Sequence, residues 1–244
     1  MRNLRLDICY DGTRYRGWQR LGNSDNTIQG KLEQTLSKLL GEPIEVSGSG
    51  RTDAGTHAIG QVVSFHTESR MPADEILVQL KKYLPEDIGV YSCKDASPRF
   101  HARLNAKEKT YRYRLWNSDA PCVFDRKYVY IYTEYLDINR MQEAAELYIG
   151  THDFSAFCGN GKMKKSTVRA IKSFKVEKVG NEIHFTVTGN GFLQHMVRIM
   201  VGTLLEIGTE KRDKTSITEL FGGKRAEAGP AVPASGLCLM EVTY

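Results

Sequence analysis

The segment Ser47-Gly48-Ser49-Gly50-Arg51-Thr52-Asp53-Ala54-Gly55-Thr56-His57-Ala58 is the stretch of this 244-residue chain that is composed most like a reactive loop. Its three glycines and small neighbours permit tight backbone turns and let a ligand approach closely. Within it stand one carboxylate, Asp53, and one guanidinium, Arg51, two residues apart, so in extended backbone both can face one side. A nearby arginine favours the charged form of an aspartate and suits it to act as nucleophile or base near pH 7. A tight turn in which Asp53 bonds its own backbone would use the same residues. Other loop chemistries fall away. No lysine follows the glycines, as a phosphate-cradling loop requires, and Asp53 occupies the third glycine position of a dinucleotide fingerprint. An aspartic-protease pair would need a twin of Asp53-Ala54-Gly55, and the second half of the chain has none.

Two further residues could carry chemistry. Arg198 lies in Phe192-Leu193-Gln194-His195-Met196-Val197-Arg198-Ile199-Met200-Val201, a stretch apolar on almost every side, which predicts a buried or half-buried guanidinium. Such a group needs a carboxylate or phosphate, with Asp53 and Glu206 as candidates, unless it snorkels to solvent. Tyr111 alternates with cations along a predicted strand, where a tyrosine packs across the sheet or stacks on a nucleic-acid base.

These residues need elements to position them. Leu4, Leu6, Ile8 and Tyr10 alternate with polar residues as a half-buried strand does, and Asp11-Gly12 breaks it into a polar loop running to Asn26. Asn26 with Gln29 reads as a capping box for a helix carrying Ile28, Leu32, Leu36, Leu39 and Leu40, closed by Gly41. Short strands follow around Ile44–Val46 and from Gln61 to His66. Pro72 suits the first turn of a second helix that ends by Pro85, and a strand continues from Ile88. The order is β-α-β-β-α-β.

The second half repeats it. A strand is predicted over Thr110–Trp116, a helix from Asp137 to Ile149 ended by Gly150, and strands over Ala170–Val179 and Ile183–Val187 joined at Gly180-Asn181. An apolar helix follows over Phe192–Ile207, then a short helix over Ile217–Phe221 and a last strand over Leu237–Thr243. Thr151–Lys165 and Gly222–Ser235 read as long polar loops. The chain is therefore expected to be α+β, with two similar halves, 1–105 and 106–244, meeting near Leu104–Lys107.

Composition sets the class. With 41% hydrophobic and 26% charged residues the chain is of ordinary globular type, not disordered, and no apolar run is long enough to span a membrane. The N-terminus reads as a strand and lacks the apolar block of a secretory signal. Five scattered cysteines and six histidines show no metal-ligand spacing, so reduced thiols in a cytoplasm and no metal are expected. The net charge of +5 is concentrated: Arg99 to Arg114 holds six cations against Glu108 alone, and Lys162 to Lys172 holds five cations and no acid. Phe100, Tyr111, Tyr113 and Trp116, interleaved with the first run, suit a polyanion surface with stacking platforms, where either run could otherwise be a solvated face.

Gly50-Arg51-Thr52-Asp53-Ala54-Gly55-Thr56-His57-Ala58 resembles the signature of the tRNA pseudouridine synthase A family. Supporting likenesses run in order along nearly the whole chain: Tyr10-Asp11-Gly12-Thr13 with Gly17-Trp18-Gln19, Phe100-His101-Ala102-Arg103, Lys109-Thr110-Tyr111-Arg112-Tyr113, His152-Asp153-Phe154-Ser155-Ala156-Phe157, Gly191-Phe192 with His195-Met196-Val197-Arg198, and Gly236-Leu237 with Val242-Thr243-Tyr244. The resemblance implies two ferredoxin-like halves with antiparallel sheets flanking a central basic cleft. It also implies isomerisation of uridine to pseudouridine in the anticodon stem-loop of tRNA, with no metal or cofactor, by a cytoplasmic homodimer. By the same likeness Asp53 is the catalytic aspartate, Arg51 assists base flipping, Tyr111 stacks on the flipped uracil, Arg198 pairs with Asp53, and Leu237 lines the base pocket. Thr56 stands where the family usually has valine, and Ser49 where it often has alanine, which leaves room for a paralogue acting on another RNA such as ribosomal RNA. A non-catalytic RNA-binding module on the same fold is the alternative from a different class.

Overall fold

A computed structural model describes residues 1–22 and 24–244; Asn23, within the polar loop expected before the first helix, lies outside the described residues. The chain divides into two compact units, Met1–Lys107 with Leu239–Tyr244, and Glu108–Cys238.

In the first unit the element order is β1 (Arg2–Tyr10), α1 (Ile28–Leu40), β2 (Val46–Gly48), β3 (His57–Thr67), α2 (Ala73–Tyr83) and β4 (Ile88–Ala96). The strands run β4–β1–β3, all antiparallel, and β2 pairs antiparallel with β3. Leu4, Leu6, Ile8 and Tyr10 form the buried row of β1, against Ile28, Leu32 and Leu36 of α1 and Ile76 and Leu80 of α2 in one core. Each such side chain contributes roughly 1.5–3 kcal/mol by leaving water. The last strand, β10 (Leu237–Thr243), has the predicted bounds, and its residues from Leu239 onward return to this unit. There the Met240 carbonyl lies 2.2 Å from where a Cβ on Gly60 would stand, so only glycine fits at that point of β3.

The helix start differs from the capping box expected at Asn26. Thr27 is the cap, its hydroxyl accepting from Gly30 N at 3.1 Å, while Asn26 turns away to donate to the Arg14 carbonyl. Gln29 is drawn off to Glu33 and to the Arg20 amide, so it cannot reach back to the cap. Gly41 does end the helix, in the left-handed region at φ 72°.

The second unit comprises β5 (Glu108–Trp116), β6 (Tyr130–Ile131), α3 (Ile138–Glu146), β7 (Gly150–Asp153), β8 (Val168–Val179), β9 (Glu182–Gly189), α4 (Met196–Gly208) and α5 (Ser216–Glu219). Strands β5–β9–β8–β7 form antiparallel neighbours, and β6 lies parallel on β5. The architecture is thus mixed α+β. Two predicted elements are shorter than expected. Asp137 caps α3 as anticipated, but the helix stops at Glu146, and Gly150 (φ 118°) opens a strand through the supposed polar loop. The apolar helix starts at Met196 rather than Phe192, because His195 takes left-handed backbone (φ 59°) and interrupts the run. It is apolar on almost every side because the chain covers it closely: a Cβ on Gly202 would lie 1.9 Å from the Pro230 carbonyl.

A polar clamp fastens β5 to β9. Arg114 donates to both carboxylate oxygens of Glu182, at 2.6 and 2.8 Å, and His184 reaches the same carboxylate at 2.8 Å. Burial alone would raise the Glu182 pKa, but the hydrogen bonds from Arg114 and His184 outweigh it and hold the group below its ordinary value. A carboxylate with a depressed folded pKa adds stability that is present above the unfolded value and lost as pH falls through the folded one. Glu182→Gln should therefore cost about 2 kcal/mol at pH 7. In urea melts this gap should close as pH drops below the ordinary glutamate value of about 4.3.

Candidate active site

The Asp53 loop joins β2 to β3, and the turn following β1 holds it. Asp53 begins a tight turn, its carbonyl accepting from Thr56 N at 3.1 Å, with Gly55 at the third position in left-handed backbone (φ 77°). The tight-turn geometry is thus present. Thr52 faces inward and its hydroxyl meets the Tyr10 hydroxyl at 2.8 Å, while exposed Arg51 and half-buried Asp53 flank it. Trp18 N donates to the Thr52 carbonyl at 3.0 Å, and Gly55 N to the Tyr15 carbonyl at 3.4 Å.

These contacts require glycine twice. Gly17 sits at φ 95° with the Thr52 carbonyl 2.8 Å from its notional Cβ, and at Gly12 the Thr56 carbonyl is only 2.0 Å from that position. Gly12 N also donates to His57 Nδ1 at 3.1 Å, with Asp11 Oδ1 3.2 Å from the same nitrogen. Gln61, fully buried, fixes the loop from beneath: its Nε2 donates to the Gly50 carbonyl at 3.0 Å, and its Oε1 accepts from Ser49 Oγ. Tyr15 is anchored in turn by Asp87; burial, then this hydrogen bond, pushes its phenol well above the usual range.

The other sequence-predicted residues belong to the second unit. Tyr111 is buried on β5, edge-on to Phe192 with ring centroids 5.1 Å apart. Arg198 is half-buried in the first turn of α4, and its Nε donates to the Val232 carbonyl at 2.7 Å. Its charge lies close enough to Tyr113 to oppose the upward push that burial gives that phenol. Glu206, one of the two partners considered for Arg198, receives Arg212 at 2.7 Å instead. Leu237 is buried at the start of β10.

The basic run is divided between the two units. Arg99, Arg103 and Lys107 lie in the first unit, whereas in the second Arg114 is committed to Glu182 and Arg112 donates to Thr186 Oγ1. Lys172, from the other basic run, binds Glu108 at 2.9 and 3.0 Å. Sequence reasoning gave no role to Gln61 or His57, nor any individual one to Tyr10, Gly12 and Gly17. The signal was present for the glycines, since Asp11-Gly12 and Gly17 interrupt an otherwise long polar stretch opposite a loop that cannot fold on its own side chains.

The sequence pattern described as tRNA pseudouridine synthase matches residues 8–105 and 144–244. The chain is 48% identical over its full length, and that of its relative, to "tRNA pseudouridine synthase A 1" of Clostridium tetani (strain Massachusetts / E88). Identity is 45% to "tRNA pseudouridine synthase A" of Bacillus sp. (strain KSM-64) and 42% to "tRNA pseudouridine synthase A 2" of Bacillus cereus (strain ZK / E33L), each again covering both chains completely. Among solved structures, a chain of a Cbf5-Nop10-Gar1 complex overlays with a TM-score of 0.38 at 11% identity, over 83% of this chain and 45% of that one. This chain belongs to the tRNA pseudouridine synthase A family and is thereby a tRNA pseudouridine synthase, an isomerase.

The seating of the loop is directly testable. Gly12→Ala forces a Cβ against a backbone carbonyl and should displace the Asp53 turn. Pseudouridine formation should fall by at least about tenfold, the equivalent of ~1.4 kcal/mol. A Gly22→Ala control, where nothing lies within 4 Å of the added carbon, should keep wild-type turnover.

Proposed function

We propose that Asp53 is the catalytic carboxylate of an isomerase acting on uridines in the anticodon stem-loop of tRNA. The observation that carries this reading is the clasp on the Asp53 turn: two glycine close approaches and a buried glutamine hold one accessible aspartate in a fixed position. A purely structural turn needs no such support. In the reaction the C1′–N1 bond breaks, the base rejoins the ribose through C5, the C5 hydrogen leaves as a proton, and the freed N1 takes up a proton from solvent. Attack on C1′, attack on C6 and abstraction of the 2′ proton are the three routes open to the carboxylate, and each requires it ionised.

Four further roles follow from the family likeness. Arg198 supplies the cation that keeps Asp53 charged, and Arg51 assists base flipping and holds the displaced stem. Tyr111 lies against the extruded uracil, and Leu237 lines the pocket that receives it. Extrusion from a stem costs a few kcal/mol, which stacking on an aromatic ring, worth about 1–3 kcal/mol per base, offsets. The β-α-β-β-α-β order of the first unit, with strands β4–β1–β3–β2, supports a ferredoxin-like half. The order β5, α3, β8, β9, α4, β10 supports a second such half, and the family likeness adds a basic cleft flanked by the pair in a cytoplasmic homodimer.

Asp53→Asn should bind tRNA with near-wild-type affinity and release no tritium from [5-³H]uridine-labelled tRNA. Turnover in that variant, with deamidation excluded, would remove Asp53 from the mechanism. Mapping pseudouridine in cellular RNA with and without the protein separates a tRNA target from ribosomal RNA.

A further inference from the structure

A groove of about 370 Å³ opens in the first unit beside the Asp53 loop, and its charged lining falls into two sets. Arg20 donates to Glu33 at 2.9 Å and lies 3.8 Å from Glu45, so its charge is met by two carboxylates. Arg51 and Arg103 are exposed, and neither guanidinium has a carboxylate or hydrogen-bond partner among the described residues. Two uncompensated guanidiniums lining one groove leave it short of negative charge.

His101 also lines the groove, and its ring chemistry is decided by its own turn. Its Nδ1 accepts from the backbone N–H of Arg103 at 3.1 Å and of Leu104 at 3.4 Å. The ring hydrogen therefore sits on Nε2, and His101 offers one neutral N–H donor. The turn is anchored as well: Asn3 Nδ2 donates to the Ser97 and Phe100 carbonyls, Ala102 N to Ser64 Oγ, and the Tyr244 hydroxyl to the Ala102 carbonyl. A donor carried on so firmly held a turn is preorganised for its ligand.

Planar guanidiniums that can bind bidentately, together with a neutral N–H, match the non-bridging oxygens of a phosphodiester. We propose that the groove is a backbone subsite for the RNA strand: Arg51 and Arg103 grip one phosphate near the target uridine, and His101 donates to it from Nε2. The proposal rests on the RNA-modifying reading above and extends it to two residues, His101 and Arg103, that the reading left without a role.

The test is a methylphosphonate scan, in which each phosphate of an anticodon stem-loop RNA is neutralised singly and Kd is measured with the full-length protein. With wild type, one position should cost about tenfold in affinity. With Arg103→Gln the penalty at that same position should shrink several-fold, and the slope of log K against log salt should become shallower by about 0.7–0.9. His101→Ala should weaken binding with the slope unchanged, and His101→Gln, which keeps an N–H donor, should restore part of the loss. If Arg103→Gln and wild type respond alike at every position, the subsite is refuted. Tritium release by wild type, measured in parallel, keeps the two readings apart: an active enzyme with no special phosphate refutes the subsite alone, whereas an inactive wild type refutes the isomerase assignment.

Discussion

The approach of the Thr56 carbonyl to Gly12 is the constraint on which the Asp53 loop depends. A segment with glycines at 48, 50 and 55 has too few side chains to hold its own shape, and ordering it costs roughly 1–2 kcal/mol per residue in backbone entropy. The loop recovers that cost from neighbours. The backbone after β1 runs against it so closely that any side chain at Gly12, or the ordinary backbone region at Gly17, would separate the two segments. The small residues are thus needed on both sides of the contact, in the loop for its turn and in the neighbour for its approach.

What lies beneath the loop is polar. Tyr10, Thr52, Ser49 and Gln61 link hydroxyls, an amide and the Gly50 carbonyl in one buried network, in which each neutral hydrogen bond contributes about 0.5–1.5 kcal/mol net. An apolar floor would stabilise the fold as well but would tolerate several loop positions, since hydrophobic contact is non-directional. Hydrogen bonds tolerate few. The network therefore fixes where Thr52 sits, and with it the two accessible residues on either side, Arg51 and Asp53. Position is what a single catalytic carboxylate needs most, because its effect falls steeply when it is misplaced by about 1 Å.

The sequence made most of the elements legible and less of the site. Alternation alone located β1 and β10, because a strand with one buried face leaves its period in the residue types. Periodicity failed where one residue changed direction inside an apolar run. Nothing in Phe192–Val201 announces that His195 adopts left-handed backbone, and the predicted helix therefore began four residues early. It failed again after α3, where Tyr148 continues the apolar stripe of the helix but belongs to a cluster with Phe154, Phe157 and Phe174. Asp53 and Arg51 stood out because their loop is unusual in composition. Gln61 and Tyr10 did not, since a glutamine and a tyrosine in strands look like ordinary surface and packing residues until the loop above them is seen.

Charge shows the same limit more sharply. Counting along the chain made Arg99 to Arg114 a single basic stretch, yet what a polyanion can use is the cation without a partner. Arg114 is neutralised by Glu182 and Asp125, and Lys172 by Glu108, across strands that no local count can pair. Two cations without an acid partner among the described residues, Arg51 and Arg103, lie far apart in sequence and become neighbours of one groove only through the fold. A modest net charge of +5 is therefore compatible with firm RNA binding. Counterion release depends on how many phosphates are neutralised at the contact, not on the sum over the whole surface.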